Sequence, residues 1–277
     1  MRASLPASTY GPSHADFTEI SVISSAVLTA AGGASKLASD LGSMLRDDID
    51  VVIDTPRTAR CDYEELEKTE KTYVGTRVEI GLRALLGFPK GTLDLDINGV
   101  DVDIKFTGGN NWMIPAEAIE KICILVAADE ARNSCYLGLL KMRLGYLTGG
   151  SNRDGKKSIS ALGFSHICWL VNNSSYKANF WRSVTKADRE AIFSLRSGTA
   201  RLVKLFEQVQ NRPIDRSVVE SVARQKDYMK RLRANGGARD ALEQRNLVLL
   251  SGKYDSLEIH RRGLPVCGGD EFICTSL

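Results

Sequence analysis

The stretch Thr92–Phe106, TLDLDINGVDVDIKF, decides how the first half of the chain folds. Asn98-Gly99 predicts a two-residue hairpin turn, because a type I′ turn needs positive φ at both central residues. The flanks alternate with the period of two that a half-buried strand requires. Leu93, Leu95 and Ile97 share one face with Val100, Val102, Ile104 and Phe106, while Asp94, Asp96, Asp101, Asp103 and Lys105 take the other. The turn pairs Ile97 with Val100, so Asp96 faces Asp101 and Asp94 faces Asp103. Opposed side chains in such a ladder have Cβ atoms about 5 Å apart, where two carboxylates repel. Two explanations stay open on the hairpin alone. One is a solvated polar face of an edge hairpin. The other is a cation site, since a divalent ion between the carboxylates reverses the sign of the interaction, and oxygen-rich sets of this kind suit Mg²⁺. Asp96 and Asp101, close to the turn and without a neighbouring lysine, read as solvated bystanders.

A third carboxylate lies upstream. TPRTARCDYEELEKTEKTYVGTRVEIGLRALLGF leads into a helix with Val78, Leu82 and Leu85 on its apolar stripe, ended by Gly87 and Pro89, and Glu79 sits within it. Glu79, Asp94 and Asp103-Ile104-Lys105 then follow the order Glu…Asp…Asp-x-Lys of the PD-(D/E)xK nucleases. Asp-x-Lys alone arises often by chance; two face-to-face aspartates beside a lysine are more specific. An ammonium next to metal-binding carboxylates can orient a water and steady developing phosphate charge.

The rest of the chain sets the frame. Its 277 residues allow two ordinary domains. The six cysteines form no CxxC pair and read as buried free thiols, and three scattered histidines argue against a histidine metal site or a Ser-His-Asp triad. No apolar run reaches the roughly 18 residues of a membrane span, and the polar N-terminus lacks an apolar signal core, which predicts a cytoplasmic protein. Charge is uneven: residues 176–240 hold 15 Lys/Arg against 7 Asp/Glu, and the remainder holds 22 against 27. The basic part is a candidate polyanion binder.

Residues 1–18 read as a loose arm, and 19–48 as helical. A buried strand is expected at Ile122–Ala127 and another strand at Ser134–Met142, with a short apolar one near Ile167–Val171. The first domain, 1–171, is therefore α/β or α+β with a mixed central sheet. Residues 172–179 have linker composition. From 180 to 277 the pattern is helical (TARLVKLFEQV, then helix, turn, helix over 212–239). Short strands at NLVLLSG and within LEIHRRGLPVCGGDEFIC complete the order of a winged helix-turn-helix.

LEKTEKTYVGTRVEIGL, DLDINGVDVDIKF, NWMIP, GGSNRDGKK and SVVESVARQKDYMKRLRANGGAR, in this order between about residues 66 and 266, resemble the NaeI family of type II restriction endonucleases. The resemblance is weakest over 1–60. It implies an N-terminal restriction-endonuclease fold related to the nicking enzyme MutH. It further implies a C-terminal winged-helix domain that holds a second DNA duplex, and a homodimer in a prokaryotic cell. It carries Glu79, Asp94, Asp103 and Lys105 over as catalytic residues. Mg²⁺ would be held by Asp94, Asp103 and the backbone carbonyl of Ile104, with Glu79 supporting, and the product would keep a 5′-phosphate.

Other candidates stand beside these. Asn110 and Asn111 follow the lysine and either approach DNA or form a connector anchored by Trp112. Asn152, Arg153, Asp154 and Lys156 lie in a Gly-flanked loop, as base or phosphate contacts or as a solvated loop. Lys226, Lys230 and Arg233 share a helical stripe with Arg231 beside it, a recognition helix or a solvated face, with Arg216 and Arg224 as phosphate contacts. Three functions follow. The first is a Mg²⁺-dependent enzyme cutting both strands at a specific, GC-rich palindrome, activated by a second DNA copy. The others are a MutH-like nicking or repair enzyme, and a winged-helix regulator without catalysis.

Overall fold

The computed structural model describes residues 5–225 and 227–277. The chain forms two compact units, one of residues up to Ile53 with Asp62–Ala178, the other of Asp54–Cys61 with Asn179–Leu277. In chain order the helices and strands up to residue 178 are α1 (Phe17–Ala31), α2 (Ala34–Ile53), α3 (Thr55–Thr58, a single turn in the second unit), α4 (Lys68–Leu86), β1 (Leu95–Ile97), β2 (Val100–Thr107), β3 (Met113–Ile114), β4 (Ile122–Asp129), β5 (Ser134–Lys141), β6 (Lys157–Ser158), α5 (Ala161–Ser165) and β7 (Cys168–Ser175).

The central sheet of the first unit runs β1-β2-β4-β5-β7. β2 and β4 are parallel and the other pairs antiparallel, so the sheet is mixed as expected. Every residue of β4 is buried, which explains why ICILVAAD shows no alternation: both faces are covered. Ile122, Ile124, Val126 and Ala128 join one core with α1, α2 and α4, and Cys123, Leu125 and Ala127 join another with Trp112 and Phe164. The same alternation puts Val102 and Ile104 of β2 in the first core. Asp103 and Lys105 therefore project from the opposite face.

The hairpin has the register read from the sequence: Ile97 faces Val100, Asp96 faces Asp101 and Leu95 faces Val102. Asn98 and Gly99 have φ of 55° and 82°, as a type I′ turn demands. The inner aspartates are not bystanders, however. Asp96 Oδ1 accepts the Gly99 N–H at 2.7 Å, and Asp101 Oδ1 accepts the Leu93 N–H at 2.9 Å. The first locks the turn and the second folds residues 91–93 back over the hairpin. That fold-back leaves no room at Gly91, where a Cβ would lie 2.4 Å from Asp101 Oδ1 and 2.6 Å from the Leu95 carbonyl.

Three further expectations are corrected. The N-terminal arm is fastened from Leu5 onward: the Thr9 N–H donates to the Ser165 carbonyl at 2.7 Å, His14 Nε2 meets His166 Nδ1 at 2.8 Å, and buried Asp16 pairs with Arg143. Composition could not show partners about 150 residues away. Asn172–Ser175, read as linker, extend β7 along β5, where Ser134 faces Ser175. Polar residues suit this end because it leaves the covered part of the sheet. Finally, SLEIHR is a helix.

The second unit contains α6 (Lys186–Phe193), α7 (Gly198–Gln208), β8 (Ile214–Asp215), α8 (Arg216–Ala223), α9 (Tyr228–Leu232), α10 (Ala238–Glu243), β9 (Leu247–Ser251), α11 (Ser256–Arg261) and β10 (Glu271–Ser276). β10 pairs with both β8 and β9 in an antiparallel sheet. Leu202, Leu205 and Phe206 of α7 pack on Val219, Val222, Leu232 and Leu242. In α11 the apolar alternation of Leu257 and Ile259 mimics a strand. The Ile259 and Arg262 amides instead close onto the Asp255 and Glu258 carbonyls, and the Glu258–Arg262 ion pair spans the same turn. All six cysteines are free thiols, as read from their spacing.

Candidate active site

Glu79, Asp94, Asp103 and Lys105 converge at the β1–β2 edge of the first unit's sheet. The hairpin supplies Asp94 and Asp103, β2 itself supplies Lys105, and α4 supplies Glu79. Asp94 sits just before β1. Its Oδ2 accepts the Ile104 N–H at 2.7 Å, so the backbone of β2 fixes this carboxylate. Arg83, one helical turn after Glu79, donates to the Asp94 carbonyl at 3.5 Å and ties α4 to the hairpin. Lys105 Nζ lies 2.6 Å from Asp103 Oδ1 and 3.3 Å from the Ile104 carbonyl. Asp103 is buried, and its Oδ2 has no hydrogen-bond partner.

The electrostatics record three carboxylates sharing a half-buried space. Burial and the Asp94 carboxylate push Glu79 up to about 7. Burial also pushes Asp103 up to about 6: Lys105 opposes this, and Asp94 adds to it. Burial alone would weaken the Lys105 ammonium, but the Asp103 carboxylate outweighs it and holds Lys105 above its ordinary value. An orphaned buried oxygen beside crowded carboxylates is costly unless a positive partner arrives. The oxygen set of Asp94, Asp103 and the Ile104 carbonyl thus fits a hard divalent cation.

This arrangement sets a pH prediction. Both carboxyls titrate higher in the folded chain than in the unfolded one, so folding takes up protons. Without a divalent cation, the site's contribution to stability is greatest below about pH 4. It falls as the pH rises through about 6 for Asp103 and about 7 for Glu79. A bound cation favours the charged forms. The melting temperature should therefore rise more with 10 mM Mg²⁺, a concentration on the order of one for which a weak carboxylate site fills, at pH 8 than at pH 5. Asp94→Asn or Asp103→Asn should remove most of that difference, and an equal shift at both pH values would count against the site.

The two candidate DNA loops prove to be one structure. Asn111 Nδ2 donates to the Ile159 carbonyl at 2.8 Å, while its Oδ1 accepts from the Trp112 and Ile159 amides. β3 then pairs with β6, Met113 facing Ser158. Residues 107–112, directly after the lysine strand, are thereby joined to the loop of 148–158. Asn111 is occupied in making this joint. Asn152 is exposed, and its Oδ1 accepts the Asp154 and Lys156 amides at 3.0 and 2.8 Å, which shapes the tip of the loop. Asn110, Arg153, Asp154 and Lys156 are left exposed at the tips. Trp112 is fully buried and anchors the first loop through an Nε1–H bond to the Val126 carbonyl.

In the second unit the basic residues do not form one continuous stripe. α9 is only five residues long and buries Tyr228 and Leu232. Lys230 pairs with Asp227 at 2.6 Å, and Arg231 and Arg233 are exposed. Arg216 donates to the Tyr228 hydroxyl, and Arg224 ends α8 with its guanidinium 5.5 Å from the Phe193 ring centre. Lys226 lies outside the described residues.

A mixed sheet flanked by helices, with Glu, Asp and Asp-x-Lys gathered at one edge, is the arrangement of a restriction-endonuclease-like domain. Comparisons with known proteins agree with it. The family described as restriction endonuclease NaeI matches residues 33–276. The type II restriction enzyme NaeI of Lentzea aerocolonigenes is 36% identical over 233 residues, covering 80% of this chain and 73% of that enzyme. The chain belongs to the NaeI restriction endonuclease family and is a site-specific deoxyribonuclease. Enzymes of this type act on double-stranded DNA and generally use a divalent metal. Among the described residues no single helix is long and apolar enough to cross a membrane.

Proposed function

We propose that the chain is a Mg²⁺-dependent type II restriction endonuclease that hydrolyses phosphodiester bonds of both strands at a specific, GC-rich palindrome. Its place of work is the cytoplasm of a prokaryotic cell. The observation that carries the reading is the buried, unpartnered Asp103 Oδ2 beside Asp94 and Lys105. Asp94, Asp103 and the Ile104 carbonyl would hold the metal, with Glu79 supporting from α4. The ion would supply charge stabilisation at the phosphate and a more acidic bound water. Lys105, held between Asp103 and the Ile104 carbonyl, orients the attacking water and donates to a phosphate oxygen. Glu79, raised to about 7, is poised to exchange a proton near neutral pH.

Arg153, Lys156 and Asn110, exposed on the joined loops beside the lysine strand, are the proposed DNA contacts of this unit, with Asp154 alongside. The winged-helix reading of the second unit rests on its helices followed by an antiparallel ribbon and on its basic charge. Its proposed role is to hold a second, activating duplex. A homodimer would give each strand its own catalytic site, since one site cuts one strand.

Supercoiled plasmid incubated with Mg²⁺ tests this. Discrete linear fragments with 5′-phosphates are expected. Open circles alone would point to a nicking enzyme, and a gel shift without cleavage to a DNA-binding regulator. Adding a short duplex that carries the site should speed cutting of a plasmid that has a single copy.

A further inference from the structure

The second unit holds a cleft of about 240 Å³ between α9, the β9–α11 turn and the start of β10. Arg216, Arg233, Arg239 and Lys253 line it, against a single acid, Asp270. These four cations come from separate segments between residues 216 and 253, and folding brings them to one concave surface. Two are held loosely by carboxylates: Arg216 lies 3.7 Å from Asp270, and Arg239 lies 3.9 Å from Asp255. Lys253 rests its ammonium 5.3 Å from the ring centre of Tyr254, which is 78% exposed at the rim. Met229, Leu232 and Phe272 form the floor.

A concave site with like charges on its walls and an apolar floor focuses its field on whatever enters. Four cations around one cleft attract an anion more strongly than any one of them does alone. The apolar floor offers no acceptor or donor, so the recognition lies with the guanidinium forks and the ammonium. Arginine forks match the geometry of phosphate oxygens. We propose that this cleft is a phosphate clamp for the backbone of a DNA duplex, in which Arg239 and Lys253 act with Arg216 and Arg233. The proposal rests on the reading of the second unit as a DNA-binding unit and says where on it the backbone is gripped. The exposed Arg231 of α9 then remains for base edges or for other phosphates.

The clamp carries no sequence information, because every nucleotide presents the same phosphate. Its removal should weaken binding equally for all sequences and lower the salt dependence of binding by about one per lost contact. The test uses the full chain with a fluorescent 24-base-pair duplex in Ca²⁺, a duplex length on the order of the protein's footprint, with affinity measured across a series of NaCl concentrations. The double variant Arg239→Ala/Lys253→Ala should bind several-fold more weakly, with a slope shallower by about two. Arg239→Lys/Lys253→Arg should keep the parent slope. A double alanine variant with unchanged slope and unchanged melting temperature would overturn the clamp. Arg231→Ala, measured in parallel, separates the two readings. If it lowers the slope and the cleft variant does not, the clamp alone fails. If neither changes the slope, the second unit does not grip DNA and the reading beneath the clamp fails. A rise in melting temperature with inorganic pyrophosphate that the double variant loses, together with an unchanged duplex slope, would show a free-anion site and also overturn the proposal.

Discussion

Asp103→Ala and Lys105→Ala should each lower the rate of plasmid cleavage by at least about a thousandfold, while a gel shift with the same plasmid fragment stays within a fewfold of the parent. The size follows from what each side chain does. Asp103 is the one carboxylate of the cluster with a buried oxygen left unpartnered, so its loss removes the strongest claim on a cation. Lys105 is held against Asp103 Oδ1 and the Ile104 carbonyl, where its ammonium is in place to act. Neither substitution should unfold the protein. Alanine at 103 removes a carboxyl whose charged form burial opposes but also the ion-pair partner of Lys105, and because these effects oppose each other the melting temperature without metal should change little. Residual cutting above about a tenth of the parent rate would be far outside the loss expected for a group acting on the transition state, and would place the chemistry elsewhere.

Arg201→Met should be the most destabilising single change in the second unit, at about 3–5 kcal/mol. Arg201 is buried within α7 and its guanidinium is spent wholly on carbonyls. Nε donates to Val222 at 2.7 Å, Nη2 to Ala223 at 2.9 Å, and Nη1 to both Leu195 at 2.9 Å and Arg196 at 2.8 Å. Two of these acceptors end α8, where the helix dipole concentrates negative charge. Methionine fills the volume but strands four acceptors. Lysine restores the charge but only one donor centre, and should recover less than half of the loss. Thermal unfolding followed by far-ultraviolet circular dichroism, with DNA affinity measured below the transition, checks both. A melting temperature within a degree or two of the parent for Arg201→Met would show that water serves those carbonyls equally well.

How far the sequence carried each site differed for a physical reason. The hairpin was legible because its signals are local. Asn-Gly sets the turn, the turn sets the register, and the register sets which aspartates oppose which. Glu79 was singled out by the order of the motif, and its helix by a 3.6-residue stripe with a glycine stop. Asp96 and Asp101 were misjudged because their partners are backbone amides, which no residue pattern displays. Arg83 had a legible position, one turn from Glu79, but its acceptor is a carbonyl in the hairpin, again invisible in one dimension. The same blindness covers the loop-building bonds of Asn111 and of Asn152 Oδ1, at positions where the sequence left a DNA contact and a plain loop both open. The pattern TARLVKLFEQV shows the helix but not the role of Arg201, since periodicity cannot tell a solvated guanidinium from one capped by four carbonyls.

The sequence by itself therefore determined the mixed-sheet endonuclease unit, the order and spacing of the candidate quartet Glu79, Asp94, Asp103 and Lys105, and the family. All three are written in short-range patterns and in motif order. Only the tertiary structure decided which polar groups are free to meet a ligand. It joined the loops of 107–112 and 148–158, fastened the N-terminal arm through residues some 150 positions away, and gathered Arg216, Arg233, Arg239 and Lys253 around one cleft. Hydrogen bonds to backbone and the convergence of distant charges depend on where the chain passes, not on which residue stands next to which.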